Sequence, residues 1–350
     1  MRKFFPLLLA ATVLLSCTPK VIEPEAVLSC VQPSALQPGD KIALISPAYF
    51  TPKANIDTAS AILRAWGFKP VVGPNANKEY LGYYAGTPKE RLADLKWALK
   101  DPSIKAILSI RGGYGSIHLI PMLPLNTFAR HPKWLIGFSD ITTLHGMENR
   151  AGVMSVHGTM CSLMARSHGE GLTNTLLRDL LYGTVPQYEV PAHPLNQPGL
   201  AQGVLVGGNL SCITPILGTE ADATQAGGII LFLEEVEEDM SHIDRMINAL
   251  LLGGVFDRCR GVILGEFTDC EANLGYDSVE EMICSYLKDR DIPVLCGFPA
   301  GHGDVNLPLL MGAPVTLDVR PDGATLRFDV AGQAQTVATE DACAELAQNL

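Results

Sequence analysis

Short apolar runs alternate with amphipathic stretches along the first half of the chain. Residues 41–46 and 106–110 are almost continuously apolar, as buried strands are, and residues 134–138 repeat this character. Residues 55–66 and 88–100 place apolar side chains at the three- and four-residue spacing of helices. Strands that alternate with helices in this way predict a parallel sheet with helices on its faces.

The second half of the chain repeats the alternation after an interruption. Residues 183–201 contain four prolines and little periodicity, which predicts a linker. A hairpin is predicted around residues 321–323, Pro-Asp-Gly. The other predicted elements of this half are strands at 203–206, 228–233, 261–267 and 293–298 and helices at 241–252 and 278–287. We therefore expect an α/β chain of two domains, residues 38–182 and 202–343.

The N-terminus has the pattern of an export signal. Residues 1–17 begin with Arg2 and Lys3, continue as an apolar run and end in Leu-Leu-Ser-Cys17. The run is shorter than the roughly 20 residues that span a bilayer, which favours a cleaved leader over a membrane helix. Its end resembles the bacterial lipobox, in which the cysteine carries the lipid; a plain signal peptide with a chance cysteine is the alternative. The proline-rich residues 18–37 then predict a tether.

This N-terminal pattern predicts an exported bacterial lipoprotein, anchored in a membrane through Cys17 and facing the periplasm. Which of the two membranes holds the lipid is left open. The export signal also permits disulfides among the remaining cysteines, whose pairing the sequence leaves open.

Charge and cysteine spacing exclude other classes of protein. The formal net charge is −11, and no cluster of lysine and arginine offsets it, so nucleic acid is not an expected partner. The nine cysteines include no CxxC pair, so neither a zinc site nor a redox motif is indicated. We expect neither a metal nor another cofactor.

Residues that carry chemistry lie where predicted strands end, which is where ligands bind in open α/β sheets. Ser139 follows the strand at 134–138 and precedes a predicted helix, the setting of a nucleophile elbow. The usual elbow has glycine two residues later; here that residue is Ile141, and a helix N-cap is the more common role for such a serine. The glycine-rich residues 111–115 predict either oxyanion amides or a simple turn.

A serine nucleophile needs a general base and an acid that orients the base. Among the eight histidines, His302 is flanked by glycines after a strand and suits a base, whereas His157 is a candidate for lining a pocket. His145 lies on the helix after Ser139 and is expected to point elsewhere. Glu234 directly follows an apolar strand, which places a carboxylate well for holding an imidazole. The acidic run after it is equally typical of a solvated loop.

Several segments, in their order and spacing, resemble the LD-carboxypeptidases, a family of serine peptidases that includes the microcin C self-immunity proteins. The matching segments are residues 39–47, 111–115, 137–142, 157–160, 207–210, 233–246, 261–267 and 301–312. The resemblance implies a triad of Ser139, Glu234 and His302. It also implies that the backbone amides of Gly113 and Asp140 bind the oxyanion.

The same resemblance implies an architecture. An N-terminal parallel α/β sheet would carry the nucleophile, and a C-terminal α/β domain of the swivelling type would carry the acid and the base. The active site would lie between the two domains, and a homodimer is common in the family. Arg111, Tyr114, His157 and Asn209 are further candidates for lining the pocket.

The implied reaction is hydrolysis of the amide between an L-configured centre, usually of a diamino acid, and a terminal D-alanine in murein peptides. Two alternatives stay open: the same triad acting on another amide, such as a peptidyl or aminoacyl nucleotide, and a wall-peptide-binding lipoprotein without catalysis. The sequence departs from the family in two ways. Many members are cytoplasmic, whereas this chain begins with a predicted export signal. Glu235 stands where many members have Asp, which leaves open whether Glu234 or Glu235 orients His302.

Overall fold

The computed structural model describes residues 27–340. The predicted leader with Cys17 and the first part of the predicted tether lie outside these residues. The strands are β1 (Lys41–Ile45), β2 (Lys69–Val72), β3 (Ile104–Ser109), β4 (Trp134–Gly137), β5 (Ser155–His157), β6 (Thr184–Pro191), β7 (Gly199–Asn209), β8 (Ile229–Val236), β9 (Cys259–Thr268), β10 (Val294–Leu295), β11 (Leu309–Met311), β12 (Pro314–Arg320), β13 (Gly323–Phe328) and β14 (Gln333–Ala338).

The helices flank these strands on the faces of the sheets. They are α1 (Lys53–Ala65), α2 (Pro88–Lys100), α3 (Asn126–Ala129), α4 (Thr142–Arg150), α5 (Cys161–Arg166), α6 (Leu172–Leu181), α7 (Leu210–Ile213), α8 (Met240–Leu252), α9 (Val255–Arg258) and α10 (Val279–Leu287). Short 3-10 helices cover Ser116–His118, Ile120–Met122, Ser139–Ile141, Thr214–Ile216 and Ala223–Gln225. None of the helices within residues 27–340 is long and apolar enough to cross a membrane.

The N-terminal sheet has six strands in the order β11-β5-β4-β3-β1-β2. The strands β1 to β5 are parallel, as the alternating pattern predicted. Successive residues of β1 face opposite sides, so that Leu44 packs in one core and Ile45 in the other. Helix α2 begins with the Thr87–Glu90 capping box, in which the Glu90 N–H donates to Thr87 Oγ1.

The C-terminal sheet has eight strands in the order β10-β9-β8-β7-β12-β13-β6-β14. Its parallel half, β7 to β10, carries the end of β8 that presents Glu234. Helices α8, α9 and α10 cover one face of this half. On the opposite face, Ile230 and Phe232 belong to the same buried core as Leu44, so one apolar core joins the two domains.

Strand β11 crosses from one domain to the other. It follows the C-terminal sheet in the chain, yet it forms the antiparallel edge of the N-terminal sheet, with Leu310 paired to Val156. The next strand, β12, returns to the C-terminal sheet beside β7. The connection between β10 and β11, which contains His302, therefore links the two sheets.

The prediction of a linker at residues 183–201 is wrong for most of this segment. Residues 184–191 form β6, which pairs with β13 and β14, and β7 begins at Gly199. The prolines interrupt the apolar alternation from which this strand could have been predicted, although its Val185, Tyr188 and Val190 side chains are buried. The hairpin at residues 321–323 is confirmed, because β12 and β13 pair antiparallel around it.

The described part of the predicted tether, residues 27–37, packs on the N-terminal domain. The Val31 N–H donates to Gly152 O, and the Val31 carbonyl accepts from Met154 N–H. Leu36 is buried and its N–H donates to Leu181 O. The prediction of a tether is therefore wrong for residues 27–37, which are part of the folded domain.

Candidate active site

Ser139 lies at a sharp strand-to-helix turn. Strand β4 ends at Gly137, and Ser139 then takes a φ of 61°, in the left-handed region that costs a non-glycine residue about 1–2 kcal/mol. A 3-10 turn and α4 follow directly. The N-cap positions of the 3-10 turn and of α4 are Phe138 and Ile141, so the N-cap interpretation of Ser139 is wrong. The geometry is that of a nucleophile elbow.

The glycine-rich loop after β3 packs directly on this turn. A Cβ on Gly112 would lie 3.0 Å from the Ser139 Cβ, and one on Gly113 would lie 2.8 Å from the Tyr49 Cβ. Gly113 also has a φ of 96°, which side chains rarely adopt. Glycine at position 112 brings the loop backbone against the serine, and glycine at position 113 lets the loop pack against Tyr49. The Asp140 N–H lies in the first turn of the helix that follows Ser139, where amides have no partner within the helix.

The Asp140 carboxylate fixes this loop, a role that the sequence did not reveal. It accepts hydrogen bonds from the Gly115 N–H at 3.2 Å, the Ser116 N–H at 2.8 Å and the Ser116 hydroxyl at 2.5 Å. Burial raises the pKa of Asp140, and the hydrogen bonds from Ser116 and Gly115 oppose that rise. Asp140 thus has its backbone amide next to Ser139 and fixes the glycine-rich loop through its side chain.

A buried arginine supports the other side of the same loop and was also missed. Arg91, on α2, donates to Gly115 O at 2.8 Å, to Gly86 O at 3.3 Å and to Pro47 O. Burial lowers its pKa, although the charge of Asp140 opposes this. A sequence signal existed, since Arg91 falls on the inward face of an amphipathic helix.

Glu234 and His302 form a buried acid–base pair. Glu234 is at the end of β8 and is 0% exposed, and the His302 Nδ1 donates to its Oε2 at 2.7 Å. A Cβ on Gly301 would lie 3.2 Å from that same oxygen, so glycine permits the close approach. The arrangement leaves the His302 Nε2 as the ring nitrogen available to a substrate or a serine.

The surroundings of this pair shift both pKa values upwards. Burial raises the pKa of Glu234, and the hydrogen bond from His302 opposes the rise. Burial lowers the pKa of His302, but the hydrogen bond and charge of Glu234, together with the charges of Glu235 and Glu266, outweigh burial and leave it raised.

Glu235 points away from the histidine, which answers the question of the two adjacent carboxylates. Its Oε1 accepts from Asn209 Nδ2 at 2.8 Å, and its Oε2 accepts from the Ser211 N–H at 2.7 Å. Asn209 in turn accepts from the Cys212 N–H and caps α7. Asn209 is therefore committed to structural contacts rather than free to line a pocket.

Aromatic contacts bring the two halves of the site together. The Phe138 ring, next to Ser139, lies 4.9 Å from the His302 ring and 5.6 Å from the His157 ring, between centroids. His157 is fully buried, its Nε2 lies 3.0 Å from Asn306 Oδ1, and burial lowers its pKa to about 3. The same Asn306 oxygen accepts from the Gly301 N–H. His157 is thus neutral and supports the His302 loop from beneath.

Arg111 and Tyr114 lie on the solvent side of the glycine-rich loop. The Arg111 guanidinium stacks 4.3 Å from the centre of the Tyr49 ring, and Tyr114 is 49% exposed. Both can meet a ligand that enters from this side. Within residues 27–340, no group of three or more His, Cys, Asp or Glu is arranged to hold a metal ion.

A serine on a strained strand-to-helix turn, beside a glycine-rich loop and a buried Glu–His pair from a second α/β domain, defines a serine hydrolase with its site between two domains. Comparison with known proteins identifies the family. Residues 42–158 match the LD-carboxypeptidase N-terminal domain and residues 202–317 match the LD-carboxypeptidase C-terminal domain. The chain belongs to the LD-carboxypeptidases and is a serine-type carboxypeptidase.

Individual relatives agree with this assignment. A putative carboxypeptidase of Synechocystis is 36% identical over 85% of this chain and 97% of its own length. A probable murein peptide carboxypeptidase of Bacillus subtilis is 33% identical over 85% of this chain and 95% of its own length. The crystal structure of muramoyltetrapeptide carboxypeptidase from Oxalobacter formigenes superimposes with a TM-score of 0.75 at 25% identity, covering 84% of this chain and all of that one.

Proposed function

We propose that this enzyme removes the terminal D-alanine from murein tetrapeptides by hydrolysing the amide that joins it to the L-centre of the third residue. The observation that carries the proposal is the buried Glu234–His302 pair at 2.7 Å, held against the residue that precedes Ser139. The names of the relatives supply the substrate class, since two of them are described as acting on murein or muramoyl peptides.

Acylation proceeds through the groups of the candidate site. The Ser139 hydroxyl attacks the scissile carbonyl carbon while the His302 Nε2 takes its proton. Glu234 stabilises the imidazolium that forms and keeps its Nδ1–H directed away from the serine. The N–H groups of Gly113 and Asp140 receive the oxyanion; in other enzymes one such donor contributes about 2.7–4 kcal/mol.

Release of the two products follows in order. The His302 imidazolium gives its proton to the nitrogen of D-alanine as the C–N bond breaks, which leaves an ester on Ser139. Water then attacks the ester carbonyl, with His302 again taking the proton and returning it to the serine oxygen. The shortened peptide leaves with a new carboxylate.

The test is release of D-alanine from a purified murein tetrapeptide by the mature chain. We expect turnover by the wild type and a loss of roughly 10⁴- to 10⁶-fold in kcat for Ser139→Ala, with unchanged circular dichroism. Binding of the tetrapeptide without release by the wild type would instead establish the binding lipoprotein. Cleavage of an aminoacyl nucleotide but not of the tetrapeptide would establish the other amide as substrate.

We also propose that the enzyme works outside the cytoplasm, anchored by a lipid on Cys17 and assembled as a homodimer. The lipobox-like Leu-Leu-Ser-Cys17 supports the anchor. Labelled palmitate should enter the wild type and not Cys17→Ser, and only the wild type should sediment with membranes. Label in Cys17→Ser, or wild type in the soluble fraction, would contradict the anchor. A monomer mass in sedimentation equilibrium would contradict the dimer.

A further inference from the structure

Two cysteine side chains of the C-terminal domain lie in contact with each other. Cys284 is on α10, and Cys296 directly follows β10. Their Sγ atoms are 3.5 Å apart. The other five cysteines within residues 27–340 make no such contact with a second cysteine in that part of the chain. These two thiols are therefore placed as a pair, although they are 12 positions apart in sequence.

The surroundings of the pair are apolar except for one carbonyl group. Cys296 is 1% exposed and belongs to the core beneath α10, and Cys284 packs against that core while remaining partly exposed. Both thiols donate weakly to the Leu195 carbonyl oxygen, which lies 3.8 Å from the Cys284 Sγ and 3.7 Å from the Cys296 Sγ. Within residues 27–340, no third side chain joins the two sulfurs in a group that could hold a metal ion. The partner that each sulfur has at close range is the other sulfur.

The backbone on each side of the pair is held by contacts of its own. Strand β10 pairs with β9, and the Cys296 N–H donates to Asn196 Oδ1 at 2.8 Å. Helix α10 packs on the same apolar core through its buried face. A disulfide has an S–S length of about 2.05 Å, so the two sulfurs need to approach by roughly 1.5 Å. Rotation about the two Cα–Cβ bonds covers a distance of that order.

The two thiols differ in reactivity in the order that disulfide formation requires. The hydrogen bond from Cys296 lowers the pKa of Cys284, against the effect of burial, and Cys284 is also the more exposed of the two. The hydrogen bond to Cys284 and burial raise the pKa of Cys296. Cys284 is therefore the thiol that ionises first and attacks an external disulfide, and Cys296 is the resolving thiol.

We propose that Cys284 and Cys296 are a disulfide-forming site that links α10 to the start of the connection carrying His302. The oxidant is an external disulfide, on a small thiol compound or on another protein. The Cys284 thiolate attacks one of its sulfurs, forms a mixed disulfide and releases the first thiol. Cys296 then loses its proton, attacks the Cys284 sulfur and releases the second thiol. Two cysteine thiols are thus oxidised, and one external disulfide is reduced to two thiols.

Formation of this link in the cell rests on the proposed location outside the cytoplasm, where disulfides persist. It does not depend on the proposed reaction, because neither cysteine belongs to the candidate active site. The link closes a loop through residues 285–295 and fixes the chain shortly before His302. We expect the Tm of the oxidised chain to exceed that of the reduced chain by about 3–8 °C, with little change in kcat at room temperature.

The test uses the purified mature chain, which is reduced, freed of reductant and exposed to oxidised glutathione while folded. Remaining thiols are then blocked with iodoacetamide, and the chain is digested with trypsin without further reduction. Tryptic cleavage places Cys284 on the peptide 261–288 and Cys296 on the peptide 291–327. Mass spectrometry should detect a covalent product of these two peptides, which dithiothreitol separates.

Cys270 provides a matched control because it lies on the same tryptic peptide as Cys284. Cys270→Ser should retain both the linked product and the difference in Tm between the oxidised and the reduced chain. Cys284→Ser should lose both. Circular dichroism checks that the two variants fold as the wild type does.

Four outcomes would overturn the inference. Alkylation of both cysteines after exposure to oxidised glutathione would show that the sulfurs do not join. Glutathione retained on Cys284 without a linked product would show an isolated reactive thiol. A linked product that survives Cys284→Ser would assign the bond to Cys270. Both thiols free in chain isolated from the cell envelope would refute the link in the cell. None of these readouts uses release of D-alanine, so a failure of this inference is distinguishable from a failure of the proposed function.

Discussion

Ser139, the proposed nucleophile, and His302, the proposed base, are held in place by different kinds of contact. Ser139 is fixed by the backbone around it: a left-handed φ, a short turn and Gly112 packed against its Cβ, all from one domain. His302 instead sits on the connection between the two sheets, and its position depends on Glu234, 68 residues away in sequence, and on the Phe138 ring of the other domain. The position of the proposed nucleophile therefore depends on neighbouring residues, whereas the position of the proposed base depends on assembly of the whole fold.

This difference teaches where the site is vulnerable. A change that loosens the contact between the domains should displace His302 before it disturbs Ser139. A change in the glycine-rich loop should disturb the surroundings of Ser139 first, because it alters the proposed oxyanion donors and leaves the Glu234–His302 pair in place. The following variants test each side separately.

The largest effect is expected from Glu234→Gln. The amide keeps the size of the side chain but removes the charge that stabilises the His302 imidazolium, so kcat should fall by about 10⁴-fold. Steady-state release of D-alanine measures it. The matched variant is Glu235→Gln, whose carboxylate contacts Asn209 and Ser211 instead, and it should lose far less activity. Equal losses in the two variants would contradict the assignment of Glu234 as the orienting acid.

Asp140→Asn should have an intermediate effect on the nucleophile side. The backbone amide of residue 140 stays in place, but the side chain loses the charge that holds Gly115 and Ser116, so the loop that carries Gly113 becomes less fixed. We expect kcat to fall by about 10- to 100-fold with little change in KM. The acid limb of the pH profile, which reports His302, should not move. A shift of that limb would show that Asp140 acts on the base instead.

The smallest effect is expected from Glu266→Gln on the base side. His302 must be neutral to accept the serine proton, so kcat/KM falls as the pH drops through its pKa. That pKa is lowered by burial but raised overall by Glu234, Glu235 and Glu266. Removing one of the raising charges lowers it, which moves the acid limb towards lower pH. The gain at acidic pH should stay below about tenfold.

A pH–rate profile of wild type and Glu266→Gln provides the measurement. Glutamine keeps an oxygen that can accept from the Gly303 N–H, which Glu266 Oε2 does at 2.7 Å, so the loop should be retained. If the acid limb of the Glu266→Gln profile stays in place or moves to higher pH, the charge of Glu266 does not raise the pKa of His302.

The parts of the fold that the sequence predicted are those with local signals. The strand before Ser139, the helix at residues 88–100 and the hairpin between β12 and β13 all follow from patterns among neighbouring residues. Strand β6 was missed because prolines mask its alternation, although it pairs with β13 on one side and with β14 on the other. The pairing of β11 with β5 joins residues about 150 positions apart, and no local pattern specifies it.

The site divides in the same way. Neighbouring residues made Ser139 a candidate nucleophile, because it follows an apolar strand and precedes a predicted helix, but they favoured a helix N-cap. The resemblance to the LD-carboxypeptidases, which depends on the order of distant segments, is what favoured the nucleophile. The choice between Glu234 and Glu235 could not be made from the sequence, since it depends on which face of β8 meets His302 after the domains pack. The contacts by which Asp140 and Arg91 fix the glycine-rich loop depend equally on side chains that only folding brings together.

The crossing of β11 has a consequence for how this chain can be divided. A piece that ends before β6 contains every parallel strand of the N-terminal sheet but lacks its edge, because Leu309–Met311 remains with the other piece. Such a fragment would expose the open side of β5 to unrelated chains. The N- and C-terminal segments, although each matches a family domain of its own, therefore depend on each other to fold. Only co-expression of both pieces, and not either alone, should restore a soluble product.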